Sequence, residues 1–252
     1  MEARIHMGQN RTGIQMSPID AAAMEQGMAE FPVDASEERQ DIQVRMDYAD
    51  EADGLGSIPV PGSMKGIVKS GVDMLKGKRP QVLVDKLGER LAFERSGVRL
   101  YDSLLAKCEC AADMLEDGEL PLLRDFRNEE AQHFEMVCEA LLDIGADPTA
   151  QTPCADLAGV EGMGLVQAMN DPRTNLLQAL HVMLDAELLD NAAWEMLIEL
   201  ARDCGHDAMA ERFGVAVTQE AKHLVHLRQL VTRLTKKEAS IVAPEPAANV
   251  AG

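Results

Sequence analysis

The sequence predicts an all-α protein, a four-helix bundle with one long crossover connection behind an N-terminal extension. Three observations carry that expectation. Aromatic residues make up only 3% of the chain while Ala, Leu and Met are plentiful, a composition that favours helix packing over a sheet. Four long segments place apolar residues at alternating steps of four and three, the period of one helix face. Within those seams the motif Glu-x-x-His occurs twice, at Glu130-x-x-His133 and Glu220-x-x-His223, ninety residues apart. A single glutamate in another helical run precedes each copy, Glu94 before the first and Glu187 before the second.

Composition excludes several functions. A formal charge of −19 argues against nucleic acid or an anionic membrane as partner. No run of 18 apolar residues occurs, and no basic stretch followed by an apolar one opens the chain, so the expected location is the cytoplasm. The five cysteines, at 108, 110, 138, 154 and 204, are odd in number, and Cys108-x-Cys110 is too tight for a zinc hairpin. They read as reduced thiols.

Residues 1 to 79 are expected to form an acidic, largely irregular extension. Between Asp20 and Asp53 only Arg39 and Arg45 oppose the negative charge, and no sustained apolar period appears. Ile58-Pro-Val-Pro-Gly62 punctuates the chain. From Met64 to Leu75 a short amphipathic helix is expected, with Met64, Ile67, Val68, Val72 and Leu75 opposite Lys65, Lys69 and Lys76. Its brevity and its two glycines favour docking on its own bundle or a sister subunit over a membrane surface.

Residues 80 to 237 form the predicted bundle. Pro80 suits a first helical position, and the first seam runs through Leu87, Leu91, Val98, Tyr101, Leu105 and Cys108, with Glu94 in its gap. Asp117-Gly118 is expected to end this helix. The second carries Leu123, Phe126, Val137, Ala140 and Ile144, with Glu130 and His133 in the gaps, and closes at Gly145. A connection over 146 to 171 holds a short helix around Cys154 to Met169. Asp171-Pro172 reads as the start of the third helix, through Leu177, Leu180, Leu184, Trp194 and Ile198, with Glu187 and Asn191 in the gaps; Cys204-Gly205 stops it. The fourth carries Met209, Phe213, Ala216, Leu227, Leu230 and Leu234, with Glu220 and His223 in the gaps. Residues 238 to 252 are expected to be a disordered tail. Corresponding residues of the two helix pairs lie 93 or 90 positions apart, which marks an internal duplication.

The six polar seam residues carry the chemistry. On a helix, Glu-x-x-His sets both side chains on one face about 4.5 Å apart along the axis. One such motif means little, since chance yields about half a match in a chain of this composition. Two copies, each with a partnering glutamate, are the ligand set of a carboxylate-bridged dimetal site in a four-helix bundle. Four carboxylates ionised together in a core would cost on the order of tens of kcal/mol. Two divalent cations would cancel that charge. His181, His206 and His226 read as surface or packing residues. Tyr101 and Trp194 are core residues first and electron donors second. Asn191 is either a satisfied amide or a pocket-lining group, and Glu129 and Gln219, each just before a motif, are placed to orient the histidines.

With this ligand pattern the chain resembles the ferritin-like superfamily, in the branch with two complete Glu-x-x-His motifs: bacterioferritins, rubrerythrins and manganese catalases. The resemblance covers roughly residues 80 to 237. It implies Glu94, Glu130, His133, Glu187, Glu220 and His223 as metal ligands, with Glu130 and Glu220 bridging and Glu94 and Glu187 terminal. Classical ferritins usually lack the second motif, and the paired CxxC module usual in rubrerythrins is absent. The expected cofactor is two Fe ions, with Mn as the alternative, since oxygen-rich ligands with two imidazoles suit these metals. The expected activity is that of a di-iron oxidoreductase reacting with oxygen or peroxide to oxidise Fe(II) or a small substrate, in a homo-oligomer. Iron storage, or a scaffold with structural metals, is the competing expectation.

Overall fold

A computed structural model describes residues 13–32, 35–60, 62–63 and 79–240. The chain divides into two units between Gly56 and Ser57. This division falls earlier than the boundary expected at residue 79. The Ser63 hydroxyl donates to the Gly145 carbonyl at 3.3 Å, tying it to the end of a bundle helix.

The first unit corrects the expectation of a largely irregular extension. It holds α1 (Pro18–Glu30) and α2 (Ala35–Glu51). Helix α1 starts where Ser17 accepts from the Asp20 amide, with Pro18 at the first helical position. No residue of α1 is buried. Pairs one turn apart, Gln26 with Glu30 and Gln43 with Asp47, line the two helices. The Ser17 cap starts α1, and side-chain pairs one turn apart support both helices without an apolar period. The expected helix from Met64 to Leu75 and nearly all of the expected tail lie outside the described residues.

In the second unit, α3 (Pro80–Cys110) pairs with α4 (Glu119–Asp143), and α7 (Leu176–Asp203) pairs with α8 (Asp207–Ala239). Helix α3 also packs on α7, and α4 on α8. The crossover between the pairs holds α5 (Pro153–Glu161) and α6 (Met163–Asn170), which lie against α3, with α6 also against α7. Thr152 caps α5, and the Lys107 ammonium holds the carbonyls of Asp171 and Thr174 at 2.9 and 2.6 Å as the chain enters α7. Among the described residues, no helix is long and apolar enough to cross a membrane.

Several boundaries differ from the sequence expectation. Helix α3 stops at Cys110 and gives way to a single 3₁₀ turn, while Gly118 begins α4 instead of ending α3. Asp171 and Pro172 precede α7 without starting it. The Asp171 carboxylate is taken by Arg173, and a capping box between Asn175 and Gln178 opens the helix. Helix α8 continues two residues past 237. Gly145 and Gly205, at φ +82° and +80°, end α4 and α7 with matching six-to-one and five-to-two hydrogen bonds. Leu100 and Leu104 take the core places expected for Val98 and Leu105, which are half-buried.

The core consists of two apolar clusters. Tyr101, Leu104, Leu123, Phe126, Leu180 and Leu227 belong to one. Leu87, Val137, Trp194, Leu197, Phe213 and Ala216 belong to the other. Along every bundle helix the chain passes from one cluster to the other across the polar seam residues. The apolar layers above and below keep that polar layer dry.

Candidate metal centre

Each of the four bundle helices contributes to one buried constellation. Helix α3 brings Glu94, α4 brings Glu130 and His133, α7 brings Glu187, and α8 brings Glu220 and His223. All six are essentially sealed from solvent, at 0 to 2% exposure, a level ionisable residues reach only when compensated. They form two groups, each offering four ligand atoms within 4.8 Å of one another: Glu94, Glu130, His133 and Glu220, and Glu130, Glu187, Glu220 and His223. Glu130 and Glu220 belong to both.

The imidazoles are oriented from behind. Nε2 of His133 donates to Gln219 Oε1 at 2.9 Å, and Nε2 of His223 donates to Glu129 Oε2 at 2.7 Å. The Gln219 amide in turn donates to Glu129 Oε1 at 2.9 Å. The residue before each motif therefore steadies the histidine of the other motif, linking α4 to α8. With Nε2 as the donor, Nδ1 is the atom presented inward. Nδ1 of His133 lies 2.7 Å from Glu220 Oε1, and Nδ1 of His223 lies 3.4 to 3.6 Å from Glu220, Glu130 and Glu187.

Two more ionisable residues belong here that the sequence reading missed. Arg90, one turn before Glu94, places Nε 3.0 Å from Glu94 Oε1 and Nη2 2.6 Å from Asp190 Oδ1. Both residues are almost fully buried. Asp190 stands one turn after Glu187. Their signal in the sequence was present, since each sits at helical spacing from a seam glutamate. It is no different from that of many surface pairs. Gly97 completes the site by its lack of a side chain: a Cβ there would stand 2.3 Å from Glu130 Oε2.

The other expected neighbours find their places. Tyr101 and Trp194 are fully buried. The Tyr101 hydroxyl donates to Glu187, and the Trp194 ring meets His133 edge-on with centroids 5.7 Å apart. Asn191 is a satisfied amide, bonded to the carbonyls of Glu187 and Glu220. His181 is exposed beside Asp185, and half-buried His226 packs its ring against Phe126.

Burial and mutual charge shift the groups of the cluster. Burial, then the charge of Asp190, drives Glu94 well above the usual carboxylate range against the pull of Arg90. Burial and the neighbouring Glu220 push Glu130 up to about 7. Burial takes Asp190 to about 8, with Arg90 opposing and Glu220 reinforcing. Glu187 is raised by burial, with His223 opposing. Burial alone would lower both imidazoles, yet the carboxylates around them, Glu220 beside His133 and Glu130, Glu187 and Glu220 beside His223, outweigh it and raise them. Glu129, half-buried at the edge, goes the other way, because hydrogen bonds from His223 and Gln219 outweigh its burial. The residues fit a pair of divalent cations on a further count: both carboxylate oxygens of Glu94 and Oε2 of Glu187 are buried with no hydrogen-bond partner among the described residues.

The fold and the constellation define a helical bundle with a carboxylate–histidine core. The ferritin-like domain family matches residues 85–237, well over half of the chain, and the protein belongs to that family. Among solved structures, the chain is similar to a ferritin-like, diiron-carboxylate protein from Bacillus anthracis str. Ames, at 17% identity and a TM-score of 0.45. That match covers 60% of this chain and 96% of the other. Comparison with curated proteins finds no match.

Proposed function

We propose that the protein is a di-iron carboxylate protein that reacts with oxygen or peroxide and oxidises Fe(II) or a small substrate. One observation carries this reading: two buried four-residue groups share Glu130 and Glu220. In this reading Glu94 and His133 would complete one metal position and Glu187 and His223 the other, with Glu130 and Glu220 available to both. Hard oxygen donors with two imidazoles favour Fe(II) or Mn(II). A bound pair of such ions supplies two electrons together, one from each ion.

The chain's own residues do the remaining work. The apolar layers exclude water from the polar one. Glu129 and Gln219 accept from the two Nε2 atoms, so that in the neutral imidazole each Nδ1 lone pair would be the one offered to a metal. Arg90 stands 3.0 Å from one oxygen of Glu94, and the Tyr101 hydroxyl donates to one oxygen of Glu187. Burial and neighbouring carboxylates raise Glu130, and the surrounding carboxylates raise both imidazoles, so a cation competes with protons here and its affinity should rise with pH.

The test is anaerobic loading with Fe(II), followed by exposure to oxygen with oxygen uptake and residual Fe(II) both measured. The parent should consume oxygen rapidly. His223→Ala and His133→Ala should each lose most of that reactivity, at least tenfold, even where one ion stays bound. Oxidation by both variants at the parent rate would show that paired metals are not needed and would overturn the reading. A storage or scaffold protein would oxidise slowly and be indifferent to either histidine.

A further inference from the structure

The two metal-holding groups are related by the internal repeat, but their surroundings are not. His223 donates its Nε2 proton to a carboxylate, Glu129, whereas His133 donates to a neutral amide, Gln219. Glu129 and Gln219 occupy equivalent positions ninety residues apart. The terminal glutamates differ as well. Glu187 accepts from the neutral Tyr101 hydroxyl, while Glu94 faces the cationic guanidinium of Arg90. The position equivalent to Tyr101 holds Trp194, whose indole N–H has no partner among the described residues, and that equivalent to Arg90 holds Met183.

Both differences act in the same direction. An imidazole hydrogen-bonded to a carboxylate is a stronger donor to metal than one bonded to an amide. A carboxylate oxygen engaged by a guanidinium yields more of its negative charge than one that accepts from a phenol. Asp190 balances the overall charge of Arg90, yet Arg90 Nε still stands on Glu94 itself. We propose that the position held by Glu130, Glu187, Glu220 and His223 takes up a divalent cation first and keeps it. The position held by Glu94, Glu130, His133 and Glu220 fills second and exchanges with solution. The second position is then where Fe(II) enters and leaves as a substrate. This rests on the ligand assignment under Proposed function.

Titration calorimetry of the full chain with Mn(II) tests the order independently of oxygen chemistry. Two ions should bind in two phases, tight and weak. Repulsion between neighbouring cations separates such phases even in a symmetric site, so the variants carry the assignment. His223→Ala should abolish the tight phase, whereas His133→Ala should abolish the weak phase and leave a tight single ion. The exchange Glu129→Gln with Gln219→Glu keeps the charge and an amide–carboxylate hydrogen bond while moving the carboxylate from His223 to His133. It should weaken the tight phase and strengthen the weak one, each by ten- to a hundredfold. Glu129→Gln alone should weaken only the tight phase by a similar factor, which keeps the test open if the double variant misfolds. Equal losses from the two histidine variants, or unchanged affinities in Glu129→Gln, would overturn the order and leave the metal site standing. No uptake by the parent protein would instead remove the ligand assignment, and the order with it.

Discussion

The two halves of the bundle share a frame and differ in what surrounds their polar seam residues. Helices α3 and α7 end at equivalent residues, Cys110 and Asp203, and Leu87, Leu91 and Leu104 in one match Leu180, Leu184 and Leu197 in the other. The six seam residues repeat in kind. Immediately behind them the repeat breaks: Arg90 against Met183, Gly97 against Asp190, Tyr101 against Trp194, Glu129 against Gln219. Positions that face the shared polar layer repeat because both halves must complete one constellation. One layer out the contacts differ: Arg90 faces Glu94, Tyr101 donates to Glu187, Glu129 accepts from His223 and Gln219 accepts from His133.

The comparison can be broken most completely at the shared ligands. Glu130→Ala together with Glu220→Ala removes a residue common to both groups from each half. Metal content should fall from about two ions per chain to none, while far-ultraviolet circular dichroism retains the helical signal. Metal retained at the parent stoichiometry would refute the bridging assignment.

The shared frame predicts equal costs at equivalent core sites. Leu104 and Leu197 are both almost completely buried. Leu104→Ala and Leu197→Ala should each destabilise the metal-free protein by about 2–5 kcal/mol in urea denaturation. A cost at one site and none at the other would mean that the halves are not packed alike.

The diverged layer predicts a smaller, one-sided effect. Gly97→Ala forces a methyl group against the Glu130 carboxylate and should cost about 1–3 kcal/mol. Gly214→Ala, inside α8 with nothing within 4 Å of the added carbon, should instead gain about 0.5–1 kcal/mol. If both variants shift the urea midpoint in the same direction, the space at Gly97 is not reserved for Glu130.

Much of this was legible before any coordinates. Helix α8 shows why: Met209, Phe213, Ala216, Leu227, Leu230 and Leu234 are all buried as the period demanded, with Glu220 and His223 among them. A 3.6-residue period places a side chain on a face whatever that face later meets, so seam residues can be read from one helix at a time. Helices α1 and α2 carry no such signal, since none of their described side chains is buried and propensity, with the Ser17 cap of α1, is what remains.

The sequence by itself therefore determined the four bundle helices, the crossover between their pairs, and the six polar residues that interrupt their apolar seams. Only the tertiary structure decided that Arg90 reaches Asp190 across a hundred residues, and that Glu129 serves His223 while Gln219 serves His133. It alone showed that Gly97 clears a space for Glu130. Periodicity encodes which face of a helix turns inward. Which side chains then meet depends on how separate helices are set against one another, a relation that no single helix carries.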